Sequence, residues 1–510
     1  MRSSEPYSVD TSKGTSMITT LVSFVVLLVI LIFVHELGHF LAAKLLGVGV
    51  ERFSLGFPPK LWSKKIGETE YQLAVLPLGG YVKLVGDEPG AELTPEEMKK
   101  SFLHKPFLVK SAVVLAGPAF NLVFACLALW LLTWSVGIRH APPVLGPLDP
   151  ESPIARAGLM MGDRVTALDG RPVSYFDELL DASEAGGGAP VRLTVSRDGR
   201  ELDFTATPER REGTTLLGDR KDYWNMGYRA RMVPVLAEPP AGKPGAAAGL
   251  RAGDLVTAVD GIPTPDWADV VRLIQRADRP ESGIVDGQGK AVPMRMDVLR
   301  DGTPLSFEVT PELDPRQDLE GETRFVPVVG ISPEAETVHE PVGVFRALGL
   351  GTREAFGMAG LTVMSVVKLV QRKISAKVMG GPILIAEIAG QKAREGVADF
   401  IWIMCFISVN LCILNLMPLP ILDGGQFVIF LVEAVKRSPI SLKVREVTQW
   451  VGVTALAALM ILVFYNDISR LVTRFSGPPA TGAVERVQSV APQAPPAPAG
   501  DAAGDAGRGE

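Results

Sequence analysis

The stretch LLVILIFVHELGHFLAA, Leu27 to Ala43, decides how the rest of the chain is read. Up to Val34 it is wholly apolar. His35, Glu36 and His39 then interrupt it, and Phe40 to Ala43 resume the apolar run. The run begins near Met17, so Met17–Ala43 exceeds the roughly 20 residues that a membrane-crossing helix needs. A cleavable leader is not expected, because the apolar core is too long and HELGH stands where a small-residue cleavage site belongs. Ionisable groups at membrane depth are costly and face a partner or a cavity. His35 and His39 are four apart, so on a helix both imidazoles leave one face and can grip one zinc ion. Glu36 lies beside them and can take a proton from an attacking water. The chain has only 5 histidines, so this pairing is rarely accidental. The bland alternative, a span ending at Val34 with HELGH in a solvated loop, is opposed by FLAA, which carries the apolar run another turn.

Three more apolar runs are long enough to cross a bilayer: Ser111–Val136, about Phe400–Met417, and Val447–Tyr465. One such run alone fits a buried helix of a large soluble protein; four together point to a polytopic α-helical membrane protein in a lipid bilayer. Net charge is −6, with no basic footprint, so nucleic acid is not an expected partner. The three cysteines, Cys126, Cys405 and Cys412, fall in apolar runs and form no CxxC pair, so neither a disulfide framework nor a thiolate metal site is suggested. Lysine and arginine concentrate between the first two runs and between the last two (Lys436, Arg437, Lys443, Arg445), so both links are expected on the cytoplasmic side. The long middle segment and both termini then lie outside. Lys368, Arg372, Lys373 and Lys377 run against this pattern, but long translocated segments obey the charge rule poorly.

The middle segment repeats itself. AGLMMGDRVTALDGRPV starts at Ala157 and AGLRAGDLVTAVDGIPT at Ala248, an offset of 248 − 157 = 91 residues. VSRDGREL from Val195 and VLRDGTPL from Val298 form a second matched pair. Alternating apolar residues ending in Asp-Gly signal β-hairpins, and SYFDELLDASEAG and DWADVVRLIQRA have helical spacing. The repeat resembles two tandem PDZ domains, at 137–232 and 233–335. Such domains take up peptide ends or strands along a sheet edge; packing without any ligand is the alternative.

A catalytic zinc site usually has three protein ligands. The third is expected in SVNLCILNLMPLPILDGGQFVIF, Ser408 to Phe430. Asp423 is the only acid between Asp399 and Glu433, and Pro418 and Pro420 break the helix before it. Irregular backbone at membrane depth is tolerated where it is buried in protein or lines a cavity. A simple turn at Asp-Gly is the competing reading.

With these motifs in hand, the chain resembles the site-2 protease family of intramembrane zinc metalloproteases, in particular the bacterial regulator-of-sigma-E protease branch. The resemblance covers about Leu21 to Leu471. It rests on HELGH, SLGF, PLGGYVKL, AGPAFN, the repeat, GGPILIA, NLMPLPILDGG and YNDISRL. One departure is Pro58, which stands where the family usually has a second glycine after SLGF. The resemblance implies that His35, His39 and Asp423 ligate zinc and that Glu36 is the general base. It implies that Asn415, with Asn410, holds the substrate backbone or oxyanion. Gly79, Gly80, Tyr81 and Val82, within Gly79–Leu84, would form a re-entrant β-loop that offers a strand edge to an unwound substrate. Substrates would be single-span membrane proteins already trimmed outside, such as anti-sigma factors, and signal-peptide remnants. The location would be the bacterial inner membrane, with the PDZ domains and both termini on the periplasmic side.

The expected organisation is an untethered 1–16, a first span 17–45, a β region 46–110, a second span 111–136 and the two PDZ domains. An amphipathic membrane-proximal segment 336–396 follows, then a third span 397–432, a loop 433–446, a fourth span 447–466 and a disordered tail 467–510. Two rival functions remain: a catalytically inactive PDZ-bearing membrane adaptor, which intact His35, Glu36, His39 and Asp423 oppose, and a metal transporter, which would need further polar ligands along its spans.

Overall fold

The HELGH run forms one helix, α1 (Thr11–Leu45), unbroken through both histidines. The computed structural model describes residues 11–88, 92–215, 217–275, 291–334 and 336–476. Residues 1–10 of the untethered N-terminus and 477–510 of the expected tail lie outside the described residues. The chain divides into two units, Met1–Val136 with Val342–Ser469, and Gly137–Pro341 with Arg470–Glu510.

In the first unit α1 leads into strands β1 (Val50–Ile66) and β2 (Thr69–Leu84), then a capped turn of helix α2 (Pro95–Lys100) and the long helix α3 (Phe107–Val136). The intervening helices belong to the second unit. The first resumes with α8 (Val344–Val370), α9 (Pro382–Glu395), α10 (Val397–Asn415), α11 (Asp423–Lys436) and α12 (Leu442–Ser476), the last belonging to it as far as Ser469. Among the described residues, four helical stretches are long and apolar enough to cross a membrane: Met17–Leu45, Phe107–Val136, Val397–Asn415 and Leu442–Arg474. The protein is thus a polytopic membrane protein whose spans match the four apolar runs.

The ends differ from the sequence expectation in an instructive way. Hydropathy marks the part of a helix that sits in lipid, not its hydrogen-bonded ends. Thus α12 starts at Leu442 and continues to Ser476, well into the expected tail, and α11 reaches Lys436, into the expected 433–446 loop. The expected third span 397–432 divides into two helices, α10 across the apolar run and α11 after it, because Pro418 and Pro420 cannot continue the α10 ladder. The 336–396 segment folds as β16 (Val338–Glu340) and the helices α8 and α9.

Helices α1 and α3 form the centre of the unit. Gly38 on α1 meets Ala116 of α3 so closely that a Cβ would stand 2.4 Å from the Ala116 carbonyl oxygen. Gly351 brings α8 equally close to α3, at Trp130. Small residues permit such approach where lipid supplies no hydrophobic drive between helices. Leu27, Leu31, Ala389 and Met404 join α1, α9 and α10; Ala125, Leu129, Ala355, Met358, Cys405 and Val409 join α3, α8 and α10. On α12, Asp467 accepts hydrogen bonds from the backbone N–H groups of Gly381, Ile383 and Leu384 at 2.9, 2.9 and 3.2 Å, capping α9. That cap joins the GGPILIA and YNDISRL motifs.

Strands β1 and β2 are long and bent, and their register resolves them into four paired segments. Lys60–Ile66 pairs with Thr69–Ala74; Glu70–Leu73 pairs also with Arg52–Leu55, which on its other side pairs with Gly80–Lys83. The chain turns at Gly56, whose φ is +89° and whose absent Cβ would stand 2.9 Å from the carbonyl oxygens of Ala74 and Leu76. Gly80–Leu84 is an outer edge of this sheet, and no other described strand pairs with it.

In the second unit the sequence repeat becomes a structural repeat. Strands β4 (Arg164–Leu168), β5 (Arg171–Pro172), β6 (Val191–Arg197) and β7 (Arg200–Ala206) lie in the order β5-β4-β6-β7. Strands β10 (Leu255–Val259), β11 (Ile262–Pro263), β12 (Met294–Arg300) and β13 (Thr303–Val309) lie in the order β11-β10-β12-β13. The first copy adds α4 (Pro153–Arg156) and α5 (Asp177–Ala185), the second α6 (Pro244–Ala248) and α7 (Trp267–Ile274). The expected Asp-Gly turns are present: Asp169, Asp198, Asp260 and Asp301 all have φ near +50°, each followed by a glycine with positive φ. Each copy then adds a hairpin, β8 (Glu209–Thr214) with β9 (Arg220–Asn225) and β14 (Glu312–Gln317) with β15 (Thr323–Val328). A short β3 (Ile138–His140) pairs with β16.

A buried ion pair recurs in both copies. Arg197 forks onto Asp163, at 2.7 Å to Oδ1 and 2.6 Å to Oδ2, and Arg300 onto Asp254, at 2.6 and 2.8 Å. Each guanidinium also donates to a glycine carbonyl, Gly158 or Gly249, and covers a phenylalanine, Phe204 or Phe307. The aspartates are 254 − 163 = 91 residues apart and the arginines 300 − 197 = 103. The second copy therefore carries an insertion of 103 − 91 = 12 residues, and it falls between α7 and β12.

Candidate metal centre

The two histidines of α1 point at α3 and at the start of α11. His35 Nε2 and His39 Nε2 stand 3.2 Å apart. His35 Nε2 is 3.2 Å from Asp423 Oδ2, and His39 Nε2 is 3.6 Å from Asp423 Oδ1. Among the described residues these three form the only cluster of three with metal-ligand spacing. Tetrahedral ligands held at roughly 2.0–2.1 Å from a zinc ion lie about 3.3–3.4 Å from one another, so the triangle has the dimensions zinc requires. The donor set, two imidazoles and one carboxylate, is also a zinc set and leaves a fourth position open.

Local sequence explains why the three converge. The helical turn puts His39 one turn below His35 on the same face. Gly117 on α3 makes room for the His39 ring: a Cβ there would stand 2.2 Å from Nε2. Asp423 begins α11, directly after the loop broken by Pro418 and Pro420. Gly424 and Gly425 let that loop fold back on the helix, since their Cβ atoms would stand 2.2 Å from the Leu416 oxygen and 2.0 Å from the Leu419 oxygen. Asp423 is therefore not a simple surface turn; its side chain is only 16% exposed and faces both histidines.

Glu36 is next to the cluster and under the sheet. A Cβ on Gly80 would stand 2.9 Å from Glu36 Cγ, so the edge segment of β2 lies directly on this side chain. The expected site residues Gly79–Val82 thus reach the cluster through the backbone at Gly80. Gly79 packs against the Phe57 ring, the Tyr81 hydroxyl accepts a hydrogen bond from Arg52, and Val82 pairs with Phe53 in the sheet. Asn415, the last residue of α10, places Nδ2 3.5 Å from His35 Nε2. Asn410 accepts a hydrogen bond through its side-chain oxygen from the Thr362 hydroxyl of α8, tying α10 to α8.

Sequence reasoning missed the supports on α3. His39 Nδ1 donates to the Val113 carbonyl at 2.9 Å, which leaves the Nε2 lone pair facing Asp423 and His35. Asn121, fully buried, places its amide 3.3 Å from His35 Nδ1, and its backbone oxygen accepts from the Ser408 hydroxyl. The available signal was Gly117 and Asn121, four apart in an apolar helix, with an amide where only a partner makes it tolerable.

The sequence matches peptidase family M50, a zinc-dependent family, over residues 23–459. It is 34% identical to the regulator of sigma-E protease RseP of Salmonella typhimurium (strain 14028s / SGSC 2262) over 463 residues, covering 89% of this chain and 100% of the relative. The regulator of sigma-E protease RseP of Escherichia coli (strain K12) is 34% identical over 468 residues with the same coverage. Protease RseP of Yersinia pestis is 34% identical over 472 residues, again covering 89% and 100%.

Proposed function

Since the chain belongs to peptidase family M50 and is a zinc metalloprotease of the membrane, we propose that His35, His39 and Asp423 hold its zinc and that Glu36 is its general base. The carrying observation is the triangle of 3.2, 3.2 and 3.6 Å between the three ligand atoms, with Glu36 beside it in a membrane-spanning helix. When bound, zinc supplies Lewis-acid activation of the scissile carbonyl and of the attacking water. Glu36 accepts the proton of that water and returns it to the leaving amine. Asn415 donates its amide to the substrate backbone or the developing oxyanion. Asn410, on the same helix and tied to Thr362 of α8, assists Asn415.

Gly80–Leu84 serves as the docking edge. A peptide bond inside a helix is shielded, so a substrate must unwind before cleavage, and its freed backbone groups need partners. The outer edge of β2 supplies them beside Glu36, as strands pair with sheet edges elsewhere. The β1–β2 sheet is then a re-entrant element at membrane depth. Substrates are single-span membrane proteins trimmed on the outer side, of the anti-sigma-factor or signal-peptide-remnant kind; the sigma-E naming of the relatives supports that class. The two repeated sheets are PDZ domains that exclude substrates with bulky outer parts, in a chain seated in the inner membrane with this unit on the periplasmic side.

Glu36→Gln tests the reading. The amide keeps the shape but cannot accept a proton. Cleavage of a model membrane helix in proteoliposomes should fall roughly 100- to 10,000-fold while zinc content stays at the wild-type level. Near-wild-type turnover would remove Glu36 from the chemistry.

A further inference from the structure

Asn121 is a buried amide beside the metal centre that no step above uses. It lies on α3 and is fully buried. Its Nδ2 stands 3.3 Å from His35 Nδ1, and its Oδ1 has no hydrogen-bond partner. A buried amide oxygen without a donor loses the hydrogen bonds it made to water, at a cost that rises in an apolar surrounding. The two ends of an amide fill nearly the same volume, so a half-turn exchanges them without repacking.

The two orientations select different forms of His35. With Nδ2 facing the ring, the amide donates to Nδ1, and the ring proton must sit on Nε2. That proton then points at Asp423 and His39, where a ligand lone pair is required. With Oδ1 facing the ring, Nδ1–H donates to it. The orphaned oxygen gains its donor, and Nε2 presents a lone pair to the cluster. His39 already shows this arrangement, with its Nδ1 bound to the Val113 carbonyl of the same helix.

We propose that Asn121 is a positioning residue: through its side-chain oxygen it holds His35 in the metal-binding tautomer, as the Val113 carbonyl holds His39. The proposal rests on the assignment of His35, His39 and Asp423 as zinc ligands. Outer partners of this kind contribute to metal affinity, because they fix the ring and raise its basicity. Helix α3 is then the scaffold that presets both histidines.

The test measures zinc affinity of the full chain in detergent by competition with a chelator, for wild type, Asn121→Leu, Asn121→Ala, Asn121→Asp and His35→Ala. Leucine fills the site without an acceptor and should weaken zinc binding about 10- to 100-fold, with little change in thermal stability of the metal-free protein. Aspartate keeps an acceptor and should bind zinc close to wild type. At saturating zinc, Asn121→Leu should lose kcat with KM unchanged. Equal zinc affinity for Asn121→Leu and wild type would overturn the proposal. If Asn121→Leu does not fold, the comparison of Asn121→Asp with Asn121→Ala decides: tighter binding by aspartate supports the proposal and equal binding overturns it. The His35→Ala variant separates the two layers. Loss of zinc there with none in Asn121→Leu overturns only the role of Asn121; retention in His35→Ala overturns the ligand assignment and this inference with it.

Discussion

Replacing Gly38 by alanine should disable the metal centre without touching a ligand. A Cβ at Gly38 would stand 2.4 Å from the Ala116 oxygen, 2.8 Å from its carbonyl carbon and 2.9 Å from Phe120 Cβ. Real Cβ contacts essentially never fall below 3.0 Å, so α1 and α3 must separate by at least 0.6 Å. Two of the three atoms are backbone and cannot rotate away. The separation opens the seam that carries the 2.9 Å bond from His39 Nδ1 to Val113 and stretches it towards the 3.5 Å limit of a hydrogen bond. Overpacking of this kind costs about 1–3 kcal/mol of stability. Misplacing a catalytic group by about 1 Å costs on the order of 100-fold in rate. Zinc content and cleavage of a membrane helix in proteoliposomes should therefore both fall in Gly38→Ala. The control is Gly357→Ala on α8, where an added Cβ meets nothing within 4 Å and activity should be unchanged. Wild-type zinc content and turnover in Gly38→Ala would refute the idea that α3 presets the histidines.

Gly80→Ala should press the β2 edge away from Glu36 and Ser54, where a Cβ would stand 2.9 Å from each; cleavage should drop with zinc content intact, measured by turnover and elemental analysis side by side. Deleting the tandem sheets should let the enzyme cut a substrate with an untrimmed outer domain that the full chain spares; slower cutting of the trimmed substrate instead would favour recruitment over exclusion. Asp254 gives the second repeat an acid limit. Burial acts to raise its pKa, but the Arg300 fork and the Arg251 backbone N–H outweigh burial and hold it below the ordinary carboxylate range. A carboxyl whose pKa is depressed by folding contributes stability above its unfolded value of about 3.9 and loses it as pH falls through the folded value. Stability of this repeat in the full chain, followed by limited proteolysis, should be flat above about pH 5 and fall in acid; Arg300→Met should lower the plateau, since it leaves the Asp254 carboxylate without its charged partner.

Much of the architecture was legible because lipid and repetition write strong patterns. Four apolar runs gave four membrane-crossing helices, and matched phrases 91 residues apart gave two sheets of the same strand order. His35, His39 and Asp423 were readable because ionisable residues are so rare in such runs, and the structure brings all three together. The misses have physical causes. Helix ends extend past the apolar stretch, so α11 and α12 outran their expected limits. Asn410 and Asn415 share one apolar helix five residues apart, and only packing shows that one faces α8 and the other the cluster. The pairing of β1 and β2 into four segments depends on bends at particular residues such as Gly56, which hydrophobic periodicity does not encode. Asn121 and the Val113 carbonyl act across 86 and 74 residues of sequence, and no local pattern links them to the histidines.

The most direct test of the account is the zinc coordination itself. X-ray absorption at the zinc edge of the purified full chain should show two imidazole nitrogens and one carboxylate oxygen at roughly 2.0–2.1 Å, with one zinc per chain. In Asp423→Asn the carboxylate contribution should vanish and zinc content should fall. An unchanged spectrum and full zinc content in that variant would contradict the assignment of His35, His39 and Asp423 as the metal centre.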